Sequence, residues 1–95
     1  TAHLKHNQLS VYQDISGRSL HLRGYRQSLT AAPLKENLAA ARLIRAAWPV
    51  LSKQNFNLVD PMCGSGTIPI EAAMISKNIP AQFLREHFSF HNWKG

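Results

Sequence analysis

The sequence predicts an α/β fold in which a β-hairpin precedes a strand, a glycine-rich loop and a helix. Three observations carry this. Two runs of period two flank Ser16-Gly17, and a helix-period run fills residues 34–48. A short apolar run then ends at Asp60 and leads through Pro-Met-Cys-Gly-Ser-Gly into a second helix-period run. The 95-residue chain is long enough for one domain at most. Its 44% apolar fraction is that of a globular chain rather than a disordered one. No apolar run approaches the ~20 residues of a membrane span, so no membrane partner is expected. The lone Cys63 excludes an internal disulfide and fits a reducing, cytoplasmic setting. No Met opens the chain, and it stops abruptly at Trp93-Lys94-Gly95, so a fragment of a longer protein is expected.

Residues 9–15 place Leu9, Val11 and Ile15 on one side. After Ser16-Gly17, residues 18–25 place Leu20 and Leu22 on one face, with Ser19, His21, Arg23 and Tyr25 on the other. This pattern predicts a β-hairpin over 9–25, which needs a neighbour to be stable. Residues 26–33 read as loop, and Thr30 or a nearby residue could cap the helix that follows. That helix is predicted over 34–48, supported by Ala39-Ala40-Ala41 and Ala46-Ala47, with Pro49 as its stop. Phe56, Leu58 and Val59 then read as a strand.

The second helix carries Ile68, Ala72 and Ile75 on one face and starts at about Gly66 or Thr67, because Pro69 is acceptable only in a first turn. Asn78-Ile79-Pro80 ends it, residues 81–88 suggest another short helix, and Phe83, Phe88, Phe90 and Trp93 need burial. In the loop before this helix, Gly64 and Gly66 let backbone approach a ligand closely. The helix behind points unpaired N–H groups and a partial positive charge into the same space, which suits a carboxylate or phosphate. Asp60, at the end of the strand, can accept a hydrogen bond from an ammonium group. An amino acid-like moiety such as the methionine part of S-adenosylmethionine satisfies both. The spacing and lysine of a P-loop are missing, and the dinucleotide fingerprint lacks its third glycine.

Asp60-Pro-Met-Cys-Gly-Ser-Gly-Thr67, followed by Ile70-Glu-Ala-Ala73, resembles the first cofactor motif of THUMP-associated RNA methyltransferases. The resemblance is strongest to the bacterial 23S ribosomal RNA guanine-N2 methyltransferases, whose members were often labelled N6-adenine-specific DNA methylases. Upstream, Ser16-Gly-x-Ser-Leu-His-x-Arg-Gly-Tyr-Arg26 and Ala32-Pro-Leu-Lys-Glu-Asn-Leu-Ala39 fit as well, as do Asn78-Ile-Pro80 and Phe88-Ser-Phe-His-Asn-Trp93. The resemblance implies the N-terminal part of a Rossmann-like, S-adenosylmethionine-dependent methyltransferase domain over 27–95. It implies that residues 1–26 form a hairpin linking that domain to an upstream RNA-binding module. Asp60, Pro61, Cys63, Gly64, Ser65, Gly66 and Thr67 would line the methionine end of the cofactor, with Thr30, Pro33 and Glu36 beside it. Arg23, Tyr25 and Arg26 would face RNA. The parent would methylate the exocyclic N2 of a guanine in large-subunit ribosomal RNA. An Asn/Asp-Pro-Pro-aromatic acceptor loop does not occur in these residues, so no catalytic residue is assigned and the fragment alone is expected to be inactive.

Charge agrees with a polyanion partner. Residues 1–45 carry seven Lys or Arg against two Asp or Glu, and residues 46–95 carry four against three. Cys63 sits inside the cofactor loop and reads as a small loop residue rather than a nucleophile. His87 and His91, like His3 and His6, stand at metal-ligand spacing without a Cys pair or carboxylate cluster, so no metal is expected. The same loop would serve an adenine-N6 methyltransferase on DNA or RNA. A non-catalytic RNA-binding module that keeps the loop as scaffold is the rival from another class. One strand with two helices leaves apolar faces uncovered, so oligomerisation of the fragment is expected.

Overall fold

A computed structural model describes residues 1–26 and 33–94. Its strands are β1 (Ala2–Lys5) and β2 (Gln8–Val11), paired antiparallel with Leu4 opposite Leu9 and Lys5 opposite Gln8. His6 and Asn7 join them with φ of 48° and 59°, the two left-handed residues of a turn whose twist matches the strands. The Thr1 ammonium donates to the Tyr12 carbonyl and the Tyr12 N–H to the Thr1 carbonyl, which extends the ribbon by one pair.

The hairpin thus lies upstream of the predicted 9–25, and Ser16-Gly17 is not its turn. Asp14 Oδ1 accepts from the Ser16 N–H, the Ser16 hydroxyl and the Gly17 N–H, which bends the chain locally without a partner strand. These bonds, the Ser16 hydroxyl foremost, hold the Asp14 carboxyl below its ordinary pKa. Beyond the bend, residues 16–26 pair with side chains instead of a strand. Arg85 donates to the Ser16 and Arg18 carbonyls, and Gln82 to the Leu20 carbonyl.

Helix α1 (Glu36–Arg45) is shorter than the predicted 34–48. Glu36 in its first turn and Arg42 and Arg45 in its last complement the helix dipole. Ala47 turns left-handed at φ 60°, and Pro49 lies in the first turn of a new short helix, α2 (Trp48–Leu51). Pro49 therefore helps to start a helix rather than stop one, since a first turn needs no N–H from it. A single 3₁₀ turn follows at Ser52–Gln54.

Phe56, Leu58 and Val59 do not form the predicted strand. The described residues contain no strand beside them, and the sheet there consists of β1 and β2 alone. A strand is held by its neighbour, and Val59 is left 83% exposed. Helix α3 (Thr67–Ser76) starts where predicted. Asn78 ends it at φ 53°, with the Asn78 N–H bonded to the Ile75 carbonyl and the Ile79 N–H to that of Met74.

Helices α1 and α3 pack together around Ala39, Leu43 and Ala72, and the Trp48 indole N–H ties α2 to the Ala72 carbonyl at 2.9 Å. Residues 81–88 form turns and extended chain, not a helix. Phe83, Phe90 and Trp93 remain 69%, 44% and 46% exposed, against the expected burial. Phe88 is half-buried, stacked on Phe90 and covered by the Arg85 guanidinium 4.6 Å above its ring.

Candidate functional site

Residues 60–67 are shaped by local hydrogen bonds and two glycines. Asp60 Oδ1 accepts the Met62 N–H at 3.2 Å, which folds the chain back after the apolar run. The Gly66 N–H donates to the Cys63 carbonyl at 2.8 Å and closes a tight turn. Gly64 and Gly66 have φ of 54° and 77°, a region that other residues occupy only under strain. A side chain added at Gly64 would meet nothing within 4 Å, so open space lies beside the loop. Pro61 and Cys63 are exposed, while Asp60 and Ser65 are half-buried.

Helix α3 begins directly behind. Its first N–H groups, at Thr67 and Ile68, have no carbonyl a turn earlier to bind, and Pro69 has no N–H at all. The loop and helix head together offer free N–H donors, a partial positive charge, hydroxyls and one carboxylate. That set can hold a zwitterionic group.

Thr30 lies outside the described residues. Pro33 is exposed and precedes Leu34, whose carbonyl accepts from Arg26 Nη2 at 2.8 Å. Glu36 is buried at the head of α1 and accepts from Arg26 Nε at 3.2 Å. Arg26 Nη2 also donates to Thr67 Oγ1 at 3.2 Å, so Arg26 links Glu36 to the loop. Among the described residues, Arg26 is the hydrogen-bonded link between this segment and residues 60–67.

Arg23 and Tyr25 turn inward with Arg26. Both bind one oxygen of Glu71 in the middle of α3, Arg23 Nε at 2.9 Å and the Tyr25 hydroxyl at 2.8 Å. Burial, reinforced by this bond, pushes the Tyr25 phenol well above its ordinary pKa and keeps it a donor. Expected to face RNA, Arg23, Tyr25 and Arg26 are engaged here by Glu71 and Glu36. A guanidinium paired with a buried carboxylate has little left for a phosphate. Glu71 was missed as their partner, although its sequence signal was visible: a single carboxylate among Thr-Ile-Pro-Ile and Ala-Ala-Met-Ile.

Two exposed cations lie nearby. A cleft of about 620 Å³ between residues 18–26, the start of α1 and residues 84–85 has Arg18 and Lys35 at its edge. The His87 and His91 rings meet edge-on, and His91 Nδ1 accepts the Phe88 N–H. Among the described residues no three His, Cys, Asp or Glu side chains gather as a metal site. No helix there is long and apolar enough to cross a membrane.

The family model for the RMKL-like methyltransferase domain matches residues 23–94. The chain is 56% identical over 87 residues to "Ribosomal RNA large subunit methyltransferase K/L" of Allochromatium vinosum, covering 92% of this chain and 12% of that protein. The protein of the same name from Saccharophagus degradans is 52% identical over 94 residues, 99% of this chain and 12% of its own. That of Legionella pneumophila is 53% identical over 92 residues, 97% of this chain and 13% of its own. The chain therefore spans only about an eighth of the length of these curated relatives. No solved structure matches it.

Proposed function

The chain belongs to the RMKL-like methyltransferase-domain family, and from that premise we propose that residues 60–67 form the methionine half of an S-adenosylmethionine site. The observations that carry this are the open space beside the left-handed Gly64 and the start of α3 three residues further on. The N–H groups at the head of α3 and the Ser65 hydroxyl bind the carboxylate of the methionine moiety. Asp60 keeps one oxygen on the Met62 N–H and offers the other to the ammonium. The left-handed glycines hold the loop open and fixed before the ligand arrives, so positioning costs little at the moment of reaction.

The parent enzyme, like the relatives by their names, acts on large-subunit ribosomal RNA, and the acceptor is the exocyclic N2 of a guanine. When bound, S-adenosylmethionine would supply an activated methyl group on its sulfonium for transfer to an amine, with residues 60–67 holding its methionine end. Residues 23–95 belong to a Rossmann-like domain. The family match from residue 23 and the bond from Arg23 to α3 support a domain start before that residue, earlier than residue 27. Residues 1–12 form the ribbon on its upstream side. A reducing cytoplasm suits an exposed free thiol at Cys63 beside the cofactor.

The test is calorimetric titration of S-adenosylmethionine into the full-length parent and its Gly64→Val and Asp60→Ala variants. Binding in the parent, weakened at least about tenfold in both folded variants, is the expected result. A well-folded parent that does not bind would sink the methyltransferase reading and favour a non-catalytic RNA-binding module. Binding followed by methylation of adenine N6 in DNA or RNA would keep the site and replace the acceptor.

A further inference from the structure

Arg26 brings a cation to the head of α3, yet not to the ligand space itself. Its Nε donates to Glu36 Oε1, and its Nη2 to the Leu34 carbonyl and to Thr67 Oγ1. Its Nη1 is buried with no acceptor among the described residues. Thr67 Oγ1 lies 3.3 Å from Ser65 Oγ, the hydroxyl between the two glycines of the loop.

The chemistry of the groups gives this chain a direction. A guanidinium has donors only, so Thr67 Oγ1 must accept from Arg26. Thr67 is 4% exposed, and its own hydroxyl hydrogen then needs an acceptor. Ser65 Oγ is the acceptor within reach. With Thr67 donating to Ser65, the buried hydroxyl is satisfied, and the Ser65 hydrogen has no acceptor within the relay. Hydroxyl hydrogens rotate freely, so the direction is imposed by the cation at the head of the chain. Glu36, itself buried, fixes that cation and neutralises most of its charge.

On the reading that residues 60–67 hold S-adenosylmethionine, we infer that Arg26 is a positioning residue which acts through Thr67 to aim the Ser65 hydroxyl at the ligand's carboxylate. Selectivity for the carboxylate then comes from a directed donor rather than net charge, because Arg26 and Glu36 nearly cancel. A lysine at position 26 keeps the charge but has no fork to reach Glu36 and Thr67 together.

The experiment is calorimetric titration of the full-length protein with S-adenosylmethionine and with its decarboxylated analogue. The variants are Arg26→Gln, Arg26→Lys, Thr67→Val and the double variant Arg26→Gln/Thr67→Val. Each single variant should weaken S-adenosylmethionine by about tenfold, the scale of one hydrogen bond to a charged group, and change the analogue by less than about threefold. The double variant should be no weaker than the worse single one, because either change already breaks the relay. Thr67→Val conserves shape and carries the test if the Arg26 variants do not fold. Equal losses for the two ligands would make Arg26 a support of loop shape and overturn the inference, as would additive losses or none. If the unsubstituted protein binds neither ligand, the cofactor reading falls and the relay with it. If it binds both and the variants do not discriminate, only the relay falls.

Discussion

Glu71 is 2% exposed and receives both Arg23 and the Tyr25 hydroxyl on one oxygen. Removing it strands a buried guanidinium, so Glu71→Ala should cost about 3–5 kcal/mol in urea unfolding of the full-length protein. Tyr25→Phe deletes one hydrogen bond and should cost about 1–2 kcal/mol. The raised phenol pKa gives this bond a pH signature. Its contribution is complete below the ordinary phenol value of about 10 and is lost as pH rises above it, once the unfolded chain ionises first. Tyr25→Phe should therefore flatten the decline of stability above about pH 10 relative to the unsubstituted protein. These residues were only half legible in the sequence. Alternation places Arg23 and Tyr25 on the polar side of an extended run, and the family resemblance turns that side toward RNA. Their partner lies 46 to 48 residues away, and no local pattern points to it.

Among the elements, α3 was read almost to the residue because its signals are local. Two glycines, a proline tolerated only near the start, and an asparagine at the stop fix its ends whatever else surrounds it. The glycine-rich loop was legible for the same reason, since its shape depends on bonds within residues 60–66 and on its own glycines. The stop makes a direct prediction. Asn78 sits at φ 53°, and Asn78→Val puts a β-branched residue there, which should destabilise the protein by about 1–2 kcal/mol in denaturant unfolding. The hairpin and the strand ending at Asp60 were misread because pairing is not local. Residues 2–11 alternate as well as 9–25, but the His6-Asn7 turn carries no glycine to mark it. Asp14 settles the matter physically by capturing the Ser16-Gly17 backbone that a hairpin turn would need. Pro49 shows the converse limit, for a proline marks a helix boundary without saying which side the helix lies on.

Across the whole molecule, the net charge of +6 survives the two internal ion pairs, because each pair withdraws one cation together with one anion. Two buried or half-buried arginines are matched by Glu71 and Glu36, which leaves Arg18 and Lys35 exposed at the cleft edge. If ribosomal RNA approaches there, Arg18→Glu with Lys35→Glu should weaken RNA binding by the full-length protein across sequences. The slope of log affinity against log salt should become shallower by about two, one for each phosphate contact removed. Cofactor affinity, read in the same preparation, should stay unchanged. Residues 16–26 also tie the molecule together lengthwise. They run opposite to residues 67–85, with Arg26 at Thr67, Arg23 and Tyr25 at Glu71, Leu20 at Gln82 and Ser16 at Arg85. The segment works as a strap whose buckles are spaced to match α3 and the turns that follow it. One inserted or deleted residue between Leu20 and Arg23 would put every buckle on one side of it out of step with its catch. This stretch can therefore drift in composition during evolution far more easily than it can change in length.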